Sequence, residues 1–152
     1  MRSEPMLHRR GTEDAEASQR KLTEQIIGAA MEVHTELGAG LLESVYQEAL
    51  ATELNLQGLA AKVQTPVPLS YKGRVLGTPL RIDLLVEDTV VVEVKAVDVL
   101  APIHTAQLLT YLRLAGKQVG LLINFNTAHL RDGIKRVSNS PLRPSASSVP
   151  LR

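Results

Sequence analysis

The stretch from Arg81 to Lys95 constrains the fold of this chain more than any other. It contains two apolar runs rich in β-branched residues, which lie on either side of the acidic break Glu87-Asp88. This pattern predicts a β-hairpin whose strands are mostly buried on both faces. Three charged side chains, those of Asp83, Glu93 and Lys95, interrupt the apolar runs. Because burying a charge without a partner is costly, we expect these groups to meet one another, a cation or solvent.

The length of the hairpin loop decides whether the two acids are neighbours. Glu93 and Lys95 are two positions apart and therefore project from the same face of one strand. A two-residue loop would place Asp83 opposite Val92, whereas a three-residue loop, Glu87–Thr89, would place it opposite Glu93. We predict the longer loop.

Two interpretations of this charged cluster are open on the residues alone. Two carboxylates held side by side repel each other unless a cation neutralises them. Oxygen ligands suit Mg²⁺ or Mn²⁺ better than Zn²⁺, so the first interpretation is a metal site. The second is a salt-bridge network of Asp83, Glu93 and Lys95 at a sheet edge, which needs no metal.

The composition indicates one domain in a reducing compartment. With 152 residues, of which 44% are hydrophobic, the chain can bury one sizeable core. It has no cysteine, which excludes disulfides and thiolate metal sites. No apolar run is long enough to span a bilayer and the charged N-terminus lacks the apolar core of a signal peptide. We therefore expect a soluble, cytoplasmic protein that does not bind membranes.

The overall charge argues against a protein dedicated to tight nucleic-acid binding. The formal net charge is +1 and aromatic residues make up 3% of the chain. Such a chain has no global electrostatic attraction to phosphates and few rings on which bases could stack. An enzyme that holds phosphates locally, through a metal and a few basic side chains, remains compatible with these values.

Hydrophobic periodicity and turn signals predict the remaining elements. In chain order they are a tail (1–20), a helix from about Leu22 to Gly38, a helix from about Leu41 to Gln57, a hairpin with strands 63–71 and 74–76, a strand 79–86, the hairpin partner ending at Lys95, a helix from Pro102 to Gly116, a buried strand 119–125, a short helix or loop 127–137, and a tail (138–152). Because Pro66 and Pro68 cannot donate ladder hydrogen bonds, the first strand is expected at a sheet edge.

Three further groups of side chains are candidates for a site. Glu43 borders the apolar stripe of the second helix, where a carboxylate needs a partner, although an acid in a first turn also suits the helix dipole. Gln107 and Tyr111 are four residues apart on one helix face and can contact a phosphate or base, or hydrogen-bond to each other. A basic cluster follows, for which a solvated face and a phosphate contact are both open. It consists of Arg131, Lys135 and Arg136.

The order of these residues resembles the PD-(D/E)XK nuclease superfamily. That order is a helical Glu43, Asp83 on a strand, Glu93-Val94-Lys95 on the next strand, then Gln107 and Tyr111 on the following helix. The segment Gly40–Tyr46 also resembles the signature for which the GxxExxY protein family is named. The resemblance extends from about Leu22 to Val137 and implies an α/β (α+β) fold with a restriction-endonuclease-like core, in which helices flank a mixed central sheet.

The resemblance also implies a role for each residue. Asp83, Glu93 and the backbone carbonyl of Val94 would bind Mg²⁺ or Mn²⁺, and Glu43 would add to the metal shell. Lys95 would orient the attacking water or stabilise charge on the phosphate. Gln107 and Tyr111 resemble the QxxxY element of the RecB-like branch, which is thought to contact substrate. Ile82 stands where the superfamily's name has proline, a position that is widely replaced.

Three functional hypotheses follow. The first is a Mg²⁺-dependent nuclease, an enzyme that hydrolyses phosphodiester bonds in nucleic acid, with DNA expected over RNA. The second is a non-catalytic module that keeps the nuclease fold and binds nucleic acid, a protein partner or a second copy of the chain. The third is a structural scaffold whose charges form salt bridges. A metal-binding titration separates the third hypothesis from the first two, and turnover separates the first from the second.

Overall fold

The computed structural model describes the backbone of residues 3–139 and the side chains of residues 11–139. Its elements, in chain order, are α1 (Ser3–Leu37), α2 (Glu43–Leu56), β1 (Ala61–Val67), β2 (Ser70–Tyr71), β3 (Arg74–Val75), β4 (Leu80–Val86), β5 (Val90–Lys95), α3 (Pro102–Ala115), β6 (Val119–Asn124), a 3-10 helix (Leu130–Gly133) and β7 (Ile134–Ser138). The predicted C-terminal tail, 138–152, lies outside the described residues except for its first two positions.

Five strands form one mixed sheet in the order β1-β4-β5-β6-β7. The pair β5–β6 is parallel, and the other three pairs are antiparallel. Strands β5 and β6 can be parallel because α3 returns the chain between them, as a parallel pair requires. The predicted mixed central sheet flanked by helices is confirmed.

The sheet is buried on both faces. One core cluster joins α1 and α2 to the sheet through residues such as Ile26, Leu50 and Val92. The other joins α3 to the opposite face through Val91 and Leu108 among others. Successive residues of β5 therefore pack into different core clusters, because neighbouring side chains of a strand point to opposite faces of the sheet. This double burial explains why β4 and β5 read as nearly continuous apolar runs.

The first helix is longer than predicted. It runs from Ser3 to Leu37, whereas periodicity predicts a start near Leu22. Residues 11–18 are all exposed, and Leu22 is the first buried apolar residue of the described side chains. Hydrophobic periodicity detects the buried face of a helix, so it cannot find a helical segment that buries nothing. The length of this helix does not show where the folded domain begins, so a domain boundary near residue 21 stays a prediction.

Two strand predictions need correction. The predicted strand 63–71 is divided at Pro68: β1 pairs with β4 in the main sheet, and β2 pairs with β3 in a separate small hairpin. The position of β1 at a sheet edge is confirmed. Residues 134–138 form β7 at the other edge, where a helix or loop was predicted. Its side chains are mostly exposed, as is common in an edge strand, and so gave no strong apolar pattern.

Candidate metal-binding active site

The β4–β5 hairpin places the two acids at paired positions. Val86 pairs with Val90, so the loop contains the three residues Glu87–Thr89, as predicted. The ladder continues to the pair Leu84 and Val92. The next position in the same register sets Asp83 opposite Glu93. The predicted juxtaposition of the two carboxylates therefore follows from the length of the loop.

Side chains replace the backbone ladder at this point. The backbone N–H of Asp83 donates to Glu93 Oε2 at 3.0 Å. The backbone N–H of Val94 donates to Asp83 Oδ2 at 2.9 Å. Each carboxylate thus binds a backbone amide of the other strand, which satisfies donors that would otherwise be left unpaired by the end of the ladder. The arrangement fixes both acids relative to the sheet.

The two carboxylates carry negative charge in a poorly solvated place. Glu93 is 5% exposed. Burial, together with the charge of Asp83, raises the pKa of Glu93 from 4.5 to about 8. Burial also raises the pKa of Asp83, although the Val94 amide and Lys95 oppose this increase. A positive group placed between the acids would relieve this unfavourable burial.

Lys95 supplies positive charge without forming an ion pair. It lies two residues after Glu93 on β5 and lowers the pKa of Asp83, Glu93 and Glu43 through its charge. Within residues 11–139, the salt bridge shorter than 4.0 Å joins Lys117 to Asp88 and does not involve Lys95. The geometry therefore does not favour the interpretation of Asp83, Glu93 and Lys95 as a salt-bridge network.

Glu43 begins α2 at the rim of this site. The residue as a whole is exposed, yet desolvation of its carboxylate raises its pKa, Lys95 lowers it, and the charge of Asp83 raises it further. The charge of Glu43 in turn raises the pKa of Glu93. Its carboxylate is therefore within electrostatic reach of both strand acids. In the part of the chain with described side chains, no three acidic, histidine or cysteine residues are close enough to hold one metal ion together.

Gln107 and Tyr111 lie on α3 over the same face of the sheet. Gln107 is exposed, and Tyr111 packs partly buried against the core cluster beneath α3. Desolvation, followed by the charges of Glu93 and Asp83, raises the pKa of Tyr111, and a hydrogen bond from Gln107 opposes this increase. The two side chains therefore influence each other, and the tyrosine lies within electrostatic reach of the acids.

A comparison of the sequence with known families decides the assignment. A family model described as the PD-(D/E)XK nuclease superfamily matches residues 20–137, which is more than half of the 152 residues. The chain belongs to the PD-(D/E)XK nuclease superfamily. The restriction-endonuclease-like fold class that the resemblance implied is therefore confirmed, and so is a coarse relation to nucleases.

Other comparisons add little to this superfamily assignment. A solved structure titled "Crystal structure of SSO0001" is similar, with a TM-score of 0.49 and 21% identity over 68% of this chain and 52% of that chain. This chain thus spans about half the length of that protein. No curated protein matches the chain. Within its described residues, no helix is long and apolar enough to cross a membrane.

The predicted basic cluster of this superfamily member is divided between two faces of the sheet. Lys135 pairs with Leu122, which pairs with Glu93, so the lysine shares a transverse row with the acid. Arg136 points the other way, and its Nη1 donates to Thr23 Oγ1 on α1 at 3.2 Å. Arg131 lines a separate cavity of about 460 Å³ beside α1. Neighbouring strand residues face opposite ways, so these three side chains cannot act as one cluster.

The sequence analysis did not identify Gln64 and Gln47, whose side chains are linked to Asp83 by hydrogen bonds. Gln64 Nε2 donates to Asp83 Oδ1 at 3.4 Å and to Gln47 Oε1 at 3.1 Å, which links β1 and α2 to the site. Gln64 has a φ of 50°, a left-handed conformation, and it interrupts the β1–β4 register opposite Asp83. The sequence pattern of β1 does not indicate that Gln64 contacts Asp83, because this contact depends on the interruption of the β1–β4 pairing at these two residues.

A second missed group holds the loop that follows Lys95. Asn124, only 2% exposed, donates through Nδ2 to the Val97 carbonyl at 2.8 Å and accepts the Val97 N–H at 3.0 Å. Nδ1 of His104 accepts the Ala101 N–H at 3.0 Å and so caps the start of α3. The charge of His104 reaches Glu43 and lowers its pKa. Both residues position the elements around the site.

The donor atoms at the acids suit the divalent metal that the superfamily implies. One oxygen of each carboxylate is bound to a backbone amide, and the second oxygen of Asp83 also accepts a long hydrogen bond from Gln64. The raised pKa values of Asp83 and Glu93 show that ionisation of these acids is unfavourable, and a nearby cation would favour it. An all-oxygen set is the kind that Mg²⁺ and Mn²⁺ prefer. Asp83, Glu93 and the Val94 carbonyl therefore fit the predicted ion.

Proposed function

We propose that this protein is a divalent-metal-dependent nuclease that cleaves DNA, and that it belongs to the GxxExxY family within the superfamily. The observation that supports this most is a pair of hydrogen bonds between the strands, in which Glu93 accepts the Asp83 N–H and Asp83 accepts the Val94 N–H. Burying two mutually repelling acids at one point of a hairpin destabilises the fold, so packing alone does not explain why both are there. A bound cation would offset this cost, which explains their presence in a metal-binding site.

The residues divide the work of phosphodiester hydrolysis. A bound divalent cation neutralises the phosphate and lowers the pKa of a water molecule. Asp83, Glu93 and the Val94 carbonyl would hold the ion, and Glu43, whose carboxylate is not close enough to share it with both acids, would add negative charge from the rim. Lys95 keeps a positive charge beside the phosphate, where negative charge develops in the transition state. Gln107 and Tyr111, with Lys135, position the nucleic acid on the α3 face.

The second candidate is a non-catalytic module that keeps the nuclease fold and binds nucleic acid or protein. The pKa of about 8 for Glu93 favours it, because a glutamic acid with that pKa is mostly protonated at neutral pH. A neutral Glu93 can donate or accept hydrogen bonds without any metal. The two candidates differ in turnover and in metal binding.

The experiment that separates them measures cleavage and metal binding on the same preparations. The purified protein is incubated with single- and double-stranded DNA and RNA in the presence of Mg²⁺, Mn²⁺ or a chelator. The nuclease predicts cleavage of DNA that requires a metal and disappears in Asp83→Asn and Glu93→Gln. Glu36→Gln, which removes an exposed acid on α1, is the matched control and should cleave as the parent does.

Two results would contradict the nuclease. One is a parent protein that binds no divalent metal by calorimetry and cleaves none of the four substrates. The other is cleavage that survives in Asp83→Asn and Glu93→Gln at the parent rate, which would indicate a contaminating enzyme. Metal binding or nucleic-acid binding without turnover would support the second candidate.

A further inference from the structure

The β2–β3 hairpin is a separate two-stranded sheet in the connection between β1 and β4. Val67, the last residue of β1, pairs with Leu80, the first residue of β4, and residues 68–79 between them contain the hairpin. Asp83 is three residues into β4, and Lys95 ends the antiparallel strand β5. At a rise of about 3.3 Å per residue, Leu80 lies roughly 10 Å from Asp83. The hairpin therefore projects from the site end of the sheet.

The hairpin carries an exposed aromatic ring. The chain has three tyrosines, one phenylalanine and no tryptophan. Tyr46 and Phe125 are buried against each other with ring centroids 4.6 Å apart, and Tyr111 is partly buried under α3. Tyr71 differs from these, because 60% of it is exposed. An exposed ring can stack on an unpaired base, a contact that every base offers.

The segment around Tyr71 is cationic and free of acids. No aspartate or glutamate occurs between Glu53 and Asp83. Four exposed cations lie in this interval: Lys62, Lys72, Arg74 and Arg81. Within the described side chains none of them forms a salt bridge shorter than 4.0 Å. Their charge is therefore not neutralised by the protein and remains available to an anionic partner.

The ring and the cations are arranged together. Lys72 Nζ lies 5.4 Å from the centroid of the Tyr71 ring, and Lys72 and Gly73, both with positive φ, form the tight turn that brings Arg74 back beside Tyr71. This arrangement is complementary to a nucleotide in a strand. The ring can stack on the base, and the two cations can contact the phosphates before and after that base.

We infer that the β2–β3 hairpin, Ser70–Val75, binds unpaired nucleotides and makes a single-stranded segment part of the substrate of this protein. Tyr71 stacks on a base, and Lys72 and Arg74 contact the phosphates next to it. The inference rests on the proposed function, because it names the form of nucleic acid that reaches Asp83 and Glu93. It adds a binding surface that lies outside the acidic site.

The distance between the hairpin and the acids has an upper limit. Tyr71 is four residues beyond Val67, which allows at most about 13 Å in addition to the roughly 10 Å from Leu80 to Asp83. The separation is therefore at most on the order of 20 Å. A strand of roughly six nucleotides, at about 3.4 Å per nucleotide, is long enough to occupy both places.

The test measures binding in a chelator, where no cleavage occurs. A fluorescent DNA strand of about 12 nucleotides, within the usual site size, is titrated with the full-length protein, and a blunt duplex of the same sequence is titrated in parallel. Tyr71→Ala should weaken single-strand binding roughly 5- to 150-fold and affect the duplex much less. Tyr71→Phe keeps the ring and should bind as the parent does.

The cations are tested through the salt dependence of the same binding. Removing one phosphate contact from a single strand should reduce the slope of log K against log salt by about 0.7. Lys72→Ala and Arg74→Ala should each show this reduction. Lys21→Ala, which removes an exposed cation on α1, is the matched control and should leave the slope unchanged. Equal melting temperatures would show that each variant is folded.

The outcomes separate this inference from the proposed function. Single-strand binding that is the same in Tyr71→Ala and the parent overturns the hairpin assignment, even if Asp83-dependent cleavage is found. Binding that depends on Tyr71 without cleavage in any metal supports the hairpin and overturns the nuclease. A poly-glutamate peptide that competes as strongly as the DNA strand would show a general anionic surface and would also overturn the assignment.

Discussion

Replacing Glu93 with glutamine should stabilise the metal-free protein at alkaline pH. Glu93 is 5% exposed, and burial raises its pKa to about 8. Above that pH the folded protein must hold a buried carboxylate next to Asp83. Glutamine has nearly the same shape, carries no charge and can still accept the Asp83 N–H that Glu93 Oε2 accepts at 3.0 Å. The substitution therefore removes a repulsion and keeps the hydrogen bond.

The size of the effect follows from the raised pKa of Glu93. Between pH 4.5 and about 8 the unfolded chain loses the proton of Glu93 while the folded protein retains it. The folded state binds more protons in this range, so the stability of the parent falls as pH rises, by about 1.4 kcal/mol per pH unit for this group. The penalty is absent below pH 4.5 and complete above pH 8. Because Asp83 and Glu93 influence each other, we expect a total of roughly 3–5 kcal/mol.

Thermal and urea unfolding in a chelator will measure this difference. The difference between Glu93→Gln and the parent should be small at pH 5 and should grow to a gain of about 3–5 kcal/mol, or roughly 10 °C in Tm, at pH 9. Asp83 also has a raised pKa and titrates in both proteins, so the difference reports Glu93 together with its coupling to Asp83. Glu36→Gln on the exposed face of α1 controls for the loss of one negative charge.

Two results would refute this reasoning. The first is a parent protein whose stability, relative to Glu93→Gln, does not change between pH 5 and pH 9. The second is a Glu93→Gln variant that is less stable than the parent at pH 9, which would show that the ionised carboxylate is stabilised by groups other than those described. If Glu93 binds the metal as proposed, cleavage should be lost in this variant whatever its stability.

Three other changes test separate parts of the molecule. Lys95→Ala should bind Mn²⁺ as tightly as the parent or more tightly in calorimetry, because it removes a repulsive charge, while cleavage slows by about 10²-fold; equal cleavage would contradict the assigned role. Gly120→Ala should lower the free energy of unfolding in urea by about 1–3 kcal/mol, because its Cβ would lie 2.9 Å from Leu108 Cδ1 and 3.1 Å from the Val91 carbonyl oxygen. Deletion of residues 1–20 should change that free energy by less than about 1 kcal/mol, because residues 11–18 are all exposed and bury little apolar area; a clearly larger loss would show that the segment packs on the domain.

The proximity of Asp83 and Glu93 could be predicted from the sequence because it depends mainly on the length of the β4–β5 loop. In a hairpin, loop length fixes the register, and register fixes which residues face each other. The apolar runs located both strands, and the three-residue loop Glu87–Thr89 then brought Asp83 and Glu93 together just beyond the last ladder pair, Leu84 and Val92. The backbone at Glu87 and Asp88 has φ values of 52° and 53°, a conformation that aspartate tolerates better than most residues. Few other arrangements were compatible with the sequence.

The surroundings of the site could not be predicted in the same way. Gln64 contacts Asp83 because β1 pairs with β4 rather than with the strand that follows it in the chain. That pairing is non-local and leaves no mark on the periodicity of either strand. The basic residues were grouped because they are close in sequence, and the edge strand β7 then separated Lys135 from Arg136. In both cases a contact between distant segments decided the outcome.

Net charge is a poor guide to this protein because it averages over surfaces that differ in sign. The chain has 17 lysines and arginines against 16 aspartates and glutamates, which favours no particular partner. The acids are nevertheless absent from residues 54–82, whose four cations are all exposed, whereas Glu43, Asp83 and Glu93 converge nearby. Exposed charges separated by more than about 8 Å are largely screened from each other at physiological ionic strength. A phosphate near the hairpin therefore interacts mainly with the local cations, and a chain of almost zero net charge can still attract a nucleic-acid strand to one side of an acidic site.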